Sequence, residues 1–470
     1  MAQRLQGQER FLAGNIYFCR RAGSLRHDER AYKLTKTTAM LYPIVRPLAA
    51  IGLRVFYRKI YLTNTERIPR DQPVILAANH PTAFLEPCIL ACFLQRPLYF
   101  LVRGDLFKQE FYAGLLRSLH MLPVYRLKDA GYGKLKENYS TFEACHNALA
   151  ERKTIMILAE GRTIQEKRLR PLQKGTARIA LGALDVHADM AEVYIVPVGV
   201  NFTYPDQPRS EVFIDFGEPI RASAFLPEYR ENANQAMASL TDALRERLER
   251  HIVIVDNEAD DELAEYLHLL DRTARPYPLW PIVERSASPL EREMHIAAAV
   301  NGMDAGPKQE LLAATRAYFG RLEQAGLDDR SVGGRNHATA LNAFLLALGW
   351  PGYALGTLWN YLPAWLGYYV SATKVKTLEF KAPVRWAASI ATFLLYALLW
   401  LLIIAATGTW SSLLPLVLAL FLLGPFALYY SEFAQRFRQS RAFRRLSQSQ
   451  QLALRQERDQ LLSMLPALEA

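Results

Sequence analysis

The chain has 470 residues, too many for one ordinary globular domain, and 51% of them are hydrophobic, which predicts a water-soluble part joined to a membrane part. Lysine and arginine number 56 against 46 acidic residues, a formal net charge of +10. That excess suits anionic lipid headgroups and phosphorylated ligands, and with no nucleic-acid-binding motif in the chain no nucleic-acid partner is expected.

Residues 1–25 are interrupted by Arg4, Glu9, Arg10, Arg20 and Arg21 and lack the sustained apolar core of a signal peptide, so the soluble part is expected to stay in the cytosol. Residues 38–59 are apolar but broken by Pro43, Arg46, Pro47 and Arg54. A segment covering residues 1–60 is therefore expected to lie in a membrane interface rather than span it, the other reading being a buried scaffold helix.

From residue 61 to 220 short apolar runs alternate with amphipathic stretches, which predicts an α/β domain. Strands are expected at 74–78, 98–102, 154–158, 194–200 and 212–216, and helices at 84–94, 111–119, 139–152 and 175–185. The first strand delivers His80 to a loop, and Glu86 follows six positions later, next to Pro87. A neutral imidazole accepts a proton from an alcohol only if its other ring nitrogen carries the hydrogen and is held in place. Glu86 sits where Pro87 requires a helix to begin, so the positive helix N-terminus is expected to keep it ionised and able to hold His80. Cys88 and Cys92 lie one helical turn apart. With Cys19 and Cys145 they make neither a zinc-type Cys-x2-Cys pair nor a disulfide scaffold, so buried free thiols and no metal are expected.

Four blocks in sequence order resemble the glycerolipid acyltransferase superfamily, the lysophosphatidate and glycerol-3-phosphate acyltransferases that carry Asn-His-x4-Asp. They are Asn79 and His80 with Glu86; Tyr99 to Arg103 with Gly114 and Leu122 to Arg126; Ile157 to Thr163 with Lys174 and Gly175; and Ile195 to Val200 with Pro197. Here the acid is Glu and lies one place further from the histidine than usual. Arg162 and Thr163 likewise reverse the usual Glu-Gly-Thr-Arg order of the third block. The stretch 201–220 is similar to the yeast-type glycerol-3-phosphate and dihydroxyacetone-phosphate acyltransferases and their bacterial relatives.

The resemblance implies a mixed central sheet flanked by helices, with His80 as general base and Glu86 as its orienter. Arg126, Glu160 and Gly161 would shape the acceptor pocket, and Arg103, Arg162 and Lys174 would be available for phosphate. The implied reaction is direct transfer of a fatty acyl group from an acyl-CoA or acyl carrier protein thioester, without a cofactor or a covalent enzyme intermediate. The acceptor is glycerol-3-phosphate or dihydroxyacetone phosphate, in phospholipid biosynthesis; the alternative is 1-acylglycerol-3-phosphate or another lysophospholipid. A third reading, prompted by the replaced aspartate, is a catalytically silent membrane protein that binds lipid.

Residues 221–339 are helix-rich and charged, with an acidic run from Asp256 to Glu262 read as a solvated helix start or loop. His251, His268, His295 and His337 are scattered without helical pairing and are read as structural or solvated. Residues 386–407 and 413–430 are uncharged and long enough to cross a bilayer, so 386–430 is expected to form a transmembrane hairpin. Basic residues flank both ends, Lys374 to Arg385 before it and Arg436 to Arg445 after it, and none lies in the turn. That places both ends in the cytosol, with the catalytic domain of an integral membrane protein on the same face. The earlier apolar stretch, 340–371, with Pro351 and Pro363, is read as a re-entrant pair of half-helices or as a further transmembrane segment. Residues 431–470 are expected to form a basic amphipathic tail suited to membrane phospholipids.

Overall fold

A computed structural model describes residues 41–124, 135–334 and 336–465. Its first part is α1 (Leu41–Phe56), β1 (Lys59–Thr63), β2 (Val74–Ala78), α2 (Leu85–Phe93), β3 (Leu98–Arg103), α3 (Glu110–Ser118), β4 (Met121–Val124), α4 (Leu135–Ala150), β5 (Thr154–Leu158), α5 (Gly175–Val186), β6 (Tyr194–Phe202), β7 (Glu211–Phe216) and β8 (Ile220–Arg221). The strands form one mixed sheet in the order β4-β3-β5-β2-β6-β7-β1-β9, with the short β9 at Val283–Glu284 and β8 paired to β6. β4, β3, β5, β2 and β6 run parallel, and β7 turns back antiparallel to β6.

β2 is the middle strand of the parallel part, and all five of its residues are buried. Its unbroken apolar sequence is what a strand covered on both faces requires. Alternation divides it between two cores. Leu76 and Ala78 face one side with Leu53 of α1 and Ile89 of α2, while Ile75 and Ala77 face the other with Cys145 of α4 and Ala180 of α5.

The middle region adds α6 (Leu226–Glu231), α7 (Ala233–Glu249), α8 (Asp261–Ala274), α9 (Ser288–Gly302), α10 (Ala305–Gln324) and α11 (Asp329–Gly333). The acidic run is more than a solvated helix start. Asp261 pairs with Arg168 at 2.8 Å, and Asp260 with Lys308 at 2.8 Å. Val253, Ala264 and Leu290 pack on Tyr61 and Phe213 of the sheet, so this region and the sheet form one continuous body.

Next come α12 (Ala340–Lys374) and α13 (Leu378–Thr407), then α14 (Leu413–Leu418), which runs through one π-helical turn into α15 (Gly424–Arg445), and finally α16 (Gln448–Met464). Three of these helical stretches, α12, α13 and α14–α15, are long and apolar enough to cross a membrane. α12 is a single helix of 35 residues that continues through Pro351 and Pro363, not two half-helices. Neighbouring helices support the proline sites, because a Cβ at Gly356 would stand 2.3 Å from the Leu423 carbonyl oxygen, an approach only glycine allows. The tail also differs from expectation. Leu454 and Leu461 of α16 join the core of α8 and α10, so that helix buries its apolar face against protein.

Candidate active site

His80 leaves the C-terminal end of β2, the sheet edge at which open α/β folds present their reactive groups. Asn79 fixes the exit: its side-chain amide donates to the Val200 carbonyl (2.9 Å) and accepts from the Val200 N–H (2.7 Å). The chain then loops through residues 81–84 before α2 begins at Leu85, so Glu86 and Pro87 fall in the first helical turn. Backbone donors in that turn have no helical partner, and proline there leaves none unmet.

Glu86 is fully buried, which requires its carboxylate to be bonded. One oxygen accepts from the Thr82 N–H at 2.6 Å and the other from the Thr82 hydroxyl at 2.8 Å. This return to Thr82 folds the loop tightly enough to bridge the six-position spacing: Glu86 Oε1 lies 3.6 Å from His80 Nδ1. The contact is electrostatic and longer than a hydrogen bond, as catalytic pairs often are before substrate binds. On the opposite side of the ring the Thr163 hydroxyl is 2.7 Å from Nε2. With the proton on Nδ1, facing the carboxylate, Nε2 is free to accept from the hydroxyl.

Glu160 holds the loop from below. One of its oxygens accepts from the His80 N–H at 2.6 Å and the other from the Arg170 N–H at 2.9 Å. Burial pushes the Glu160 carboxyl above its ordinary pKa, and those two donors, with the nearby Arg170 guanidinium, oppose the push. Gly161 takes φ +67°, and a Cβ there would meet Gln173 at 2.9 Å. The glycine turns the chain so that the Ile164 N–H reaches the His80 carbonyl at 3.3 Å.

The structure thus gathers His80, Glu86, Glu160 and Gly161 into one constellation. Arg162 is exposed beside it and forms no ion pair among the described residues. Lys174 precedes α5, and its ammonium donates to the Asn234 carbonyl at 3.4 Å. Arg103 ends β3, two strands from β2, about 10 Å away at the usual strand spacing. Arg126 lies outside the described residues. Thr82, the Thr163 hydroxyl and the Arg170 amide are members that sequence reasoning did not single out. For Thr82 a signal existed: a threonine one helical turn before a first-turn glutamate has the spacing of a local side-chain bond.

Burial pushes the Cys88 and Cys145 thiols up to about 12 and that of Cys92 up to about 11. They are protonated at neutral pH and weak nucleophiles. Among the described residues no cluster of histidine, cysteine and acidic side chains could hold a metal ion.

Residues 59–201 match the protein family described as Acyltransferase. The chain is 42% identical over 72 residues to glycerol-3-phosphate O-acyltransferase 1 of Saccharomyces cerevisiae, covering 15% of this chain and 9% of that protein. With glycerol-3-phosphate O-acyltransferase 2 of the same yeast it shares 25% identity over 158 residues, covering 33% and 21%. The crystal structure of the 1-acyl-sn-glycerophosphate (LPA) acyltransferase PlsC from Thermotoga maritima aligns at 19% identity with a TM-score of 0.29, covering 50% of this chain and 90% of that one. The chain therefore spans less than a quarter of the length of these two yeast relatives. Through the family match and the yeast relatives, the segment that carries His80, Glu86, Glu160 and Thr163 is an acyltransferase domain of the glycerolipid acyltransferase superfamily.

Proposed function

We propose that this domain transfers a fatty acyl group from a thioester of coenzyme A or acyl carrier protein to a hydroxyl of glycerol-3-phosphate or dihydroxyacetone phosphate, in phospholipid biosynthesis. The observation that carries the reading is the two-sided environment of His80, with a buried carboxylate at Nδ1 and a hydroxyl already at Nε2. The names of the yeast relatives support the acceptor.

In this mechanism the acceptor hydroxyl takes the place of the Thr163 hydroxyl. Nε2 removes its proton as the oxygen attacks the thioester carbonyl, and Glu86 stabilises the imidazolium that forms. The tetrahedral intermediate collapses, the carbon–sulfur bond breaks, and the departing thiolate recovers the proton from His80. Glu160 is a positioning residue, and the exposed Arg162 is available for the acceptor's phosphate, with Arg103 further along the edge. The active site faces the cytosol, where both thioesters and the phosphorylated acceptor are found.

The test is thiol release by purified protein with acyl-CoA or acyl carrier protein and a panel of acceptors: glycerol-3-phosphate, dihydroxyacetone phosphate, lysophosphatidate and non-phosphorylated alcohols. Turnover with the first two and its loss in His80→Ala is expected. Preference for lysophosphatidate would overturn the acceptor, full turnover in His80→Ala would overturn the base, and silence with every acceptor would favour a lipid-binding protein.

A further inference from the structure

The three apolar helical stretches are each long and apolar enough to cross a membrane, but their ends attach to the body differently. Immediately before α12, the His337 N–H donates to Ser440 Oγ (3.2 Å) and Arg444 donates to the Ala338 carbonyl (2.9 Å). Phe443, beside them, lies in the core of α8 and α10. The chain at residues 337–338 is therefore on the water-facing body. Immediately after α12, the Ala83 N–H donates to the Glu379 carbonyl at 3.2 Å, and Ala382 and Trp386 are buried in the core that covers β2 and α2. The chain is again on the body, and that body is continuous.

A bilayer cannot pass through a packed protein core, so a helix that starts and ends on one body cannot carry the chain across. We infer that α12 does not span: it enters and leaves the bilayer on the side of the acyltransferase domain, with its middle packed beside α13 and α14–α15.

The surface of α12 fits this placement. Residues 340–373 carry no charge, and Phe344, Leu348, Trp350, Leu358, Tyr361 and Trp365 are exposed, a face for acyl chains rather than water. Its tryptophans and tyrosines are the side chains that favour the boundary between headgroups and hydrocarbon. Its apolar surface continues onto the crossing hairpin, because Trp359 stacks on Trp400 of α13 at 4.9 Å and Tyr353 on Tyr430 of α15 at 4.7 Å. α1 flanks the same base. A Cβ at Gly52 would meet Ile390 at 2.5 Å, while Ile44 and Ile51 of α1 are exposed. The occupant of this surface is thus the acyl-chain region of the bilayer that α12 enters from the active-site side, and the Ala83 contact sets the His80 loop at the point where α12 returns.

Single cysteines introduced as Thr339→Cys, Lys376→Cys, Ser411→Cys and Gln450→Cys are to be reacted with a membrane-impermeant maleimide in intact spheroplasts of a bacterial host and again after detergent. The parent chain serves as the blank. Thr339, Lys376 and Gln450 are expected to share one side, with Ser411 alone on the other. Labelling of the Thr339 and Lys376 positions from opposite sides would overturn the inference. Spin labels at Phe344→Cys and Tyr369→Cys, near the two ends of α12, should report similar depths in reconstituted vesicles; a graded passage from one face of the bilayer to the other would also overturn it. Neither readout depends on the acyl-transfer reading.

Discussion

The Thr163 hydroxyl lies 2.7 Å from Nε2 of His80, the ring nitrogen that takes the acceptor's proton in the proposed mechanism. If it holds the place of the acceptor hydroxyl, binding has to displace it, at a cost of about 0.5–1.5 kcal/mol, the net worth of one such hydrogen bond. Thr163→Val keeps the shape and removes the hydroxyl. It should lower the acceptor KM by about 2- to 10-fold with kcat little changed, while Thr163→Ser stays near the parent. A fall in kcat at constant KM would instead make Thr163 an orienter of the ring.

Glu86 is tested by keeping its length or its charge. Glu86→Gln retains an oxygen for Thr82 but gives up the charge that steadies the imidazolium, and should lower kcat by about 100-fold or more. Glu86→Asp keeps the charge and retreats by one methylene from a separation that is already 3.6 Å, so an intermediate loss is expected. Equal rates in all three forms would remove Glu86 from the mechanism.

The parts of the fold that rest on uninterrupted apolar runs were legible. β2, β3, β5, β6 and β7 and the four helices between them fall close to where hydrophobic patterning puts them. β1 escaped because it begins with a lysine, and Lys59 is buried only because its ammonium reaches Glu284 at 2.7 Å and the Pro281 carbonyl at 2.8 Å, more than 200 residues away. β4 is four residues with a proline inside, too short for a periodic signal. In the site, the nearness of His80 and Glu86 was legible. The duties of Glu160 were not, because a carboxylate bonded to backbone N–H groups leaves no mark in side-chain spacing. The lie of α12 was hidden for a similar reason: composition records that a helix is apolar, and only its two attachments show that it returns to the side it left.

Glu160 links the His80 loop to the Arg170 loop, and both links need an acceptor. Glu160→Gln places an amide N–H against one of two backbone N–H donors, leaving a buried donor unmet at about 1–3 kcal/mol. Thermal melting in detergent should fall, and kcat should fall with it because the His80 backbone is no longer held. Unchanged melting with reduced kcat would move Glu160 from positioning into the chemistry.

Asp215 offers a pH test. Burial alone would raise its carboxyl, but bonds from His251 Nδ1 (2.6 Å), Thr63 (2.5 Å) and Asn64 (2.7 Å) outweigh it and hold the pKa below the ordinary 3.8. A depressed folded value means the carboxylate contributes its full stability above the unfolded pKa and loses it as pH falls through the folded one. Melting temperature measured downward from pH 7 should therefore drop at the acid end. Asp215→Asn should melt lower at pH 7 and lack that part of the acid dependence; a parallel curve would refute the assignment.

Asp329 is completely buried in α11 and accepts from Arg458 of α16 through Nε at 2.9 Å and from the Tyr318 hydroxyl at 2.6 Å. This pair fastens the end of the chain to the body from which α12 departs. Removing the arginine leaves a buried carboxylate without its counter-charge, which costs about 3–5 kcal/mol where such pairs are broken. Arg458→Ala should release α16 and expose residues 448–464 to limited proteolysis. Arg458→Lys, which restores the charge without the planar fork, should recover part of the protection. Gly333→Ala ought to do similar damage by another route, since a Cβ there would stand 2.2 Å from the Arg458 guanidinium. If Arg458→Ala stayed as resistant as the parent, the apolar contacts of Leu454 and Leu461 alone would suffice to hold the helix, and the ion pair would have no part in anchoring it.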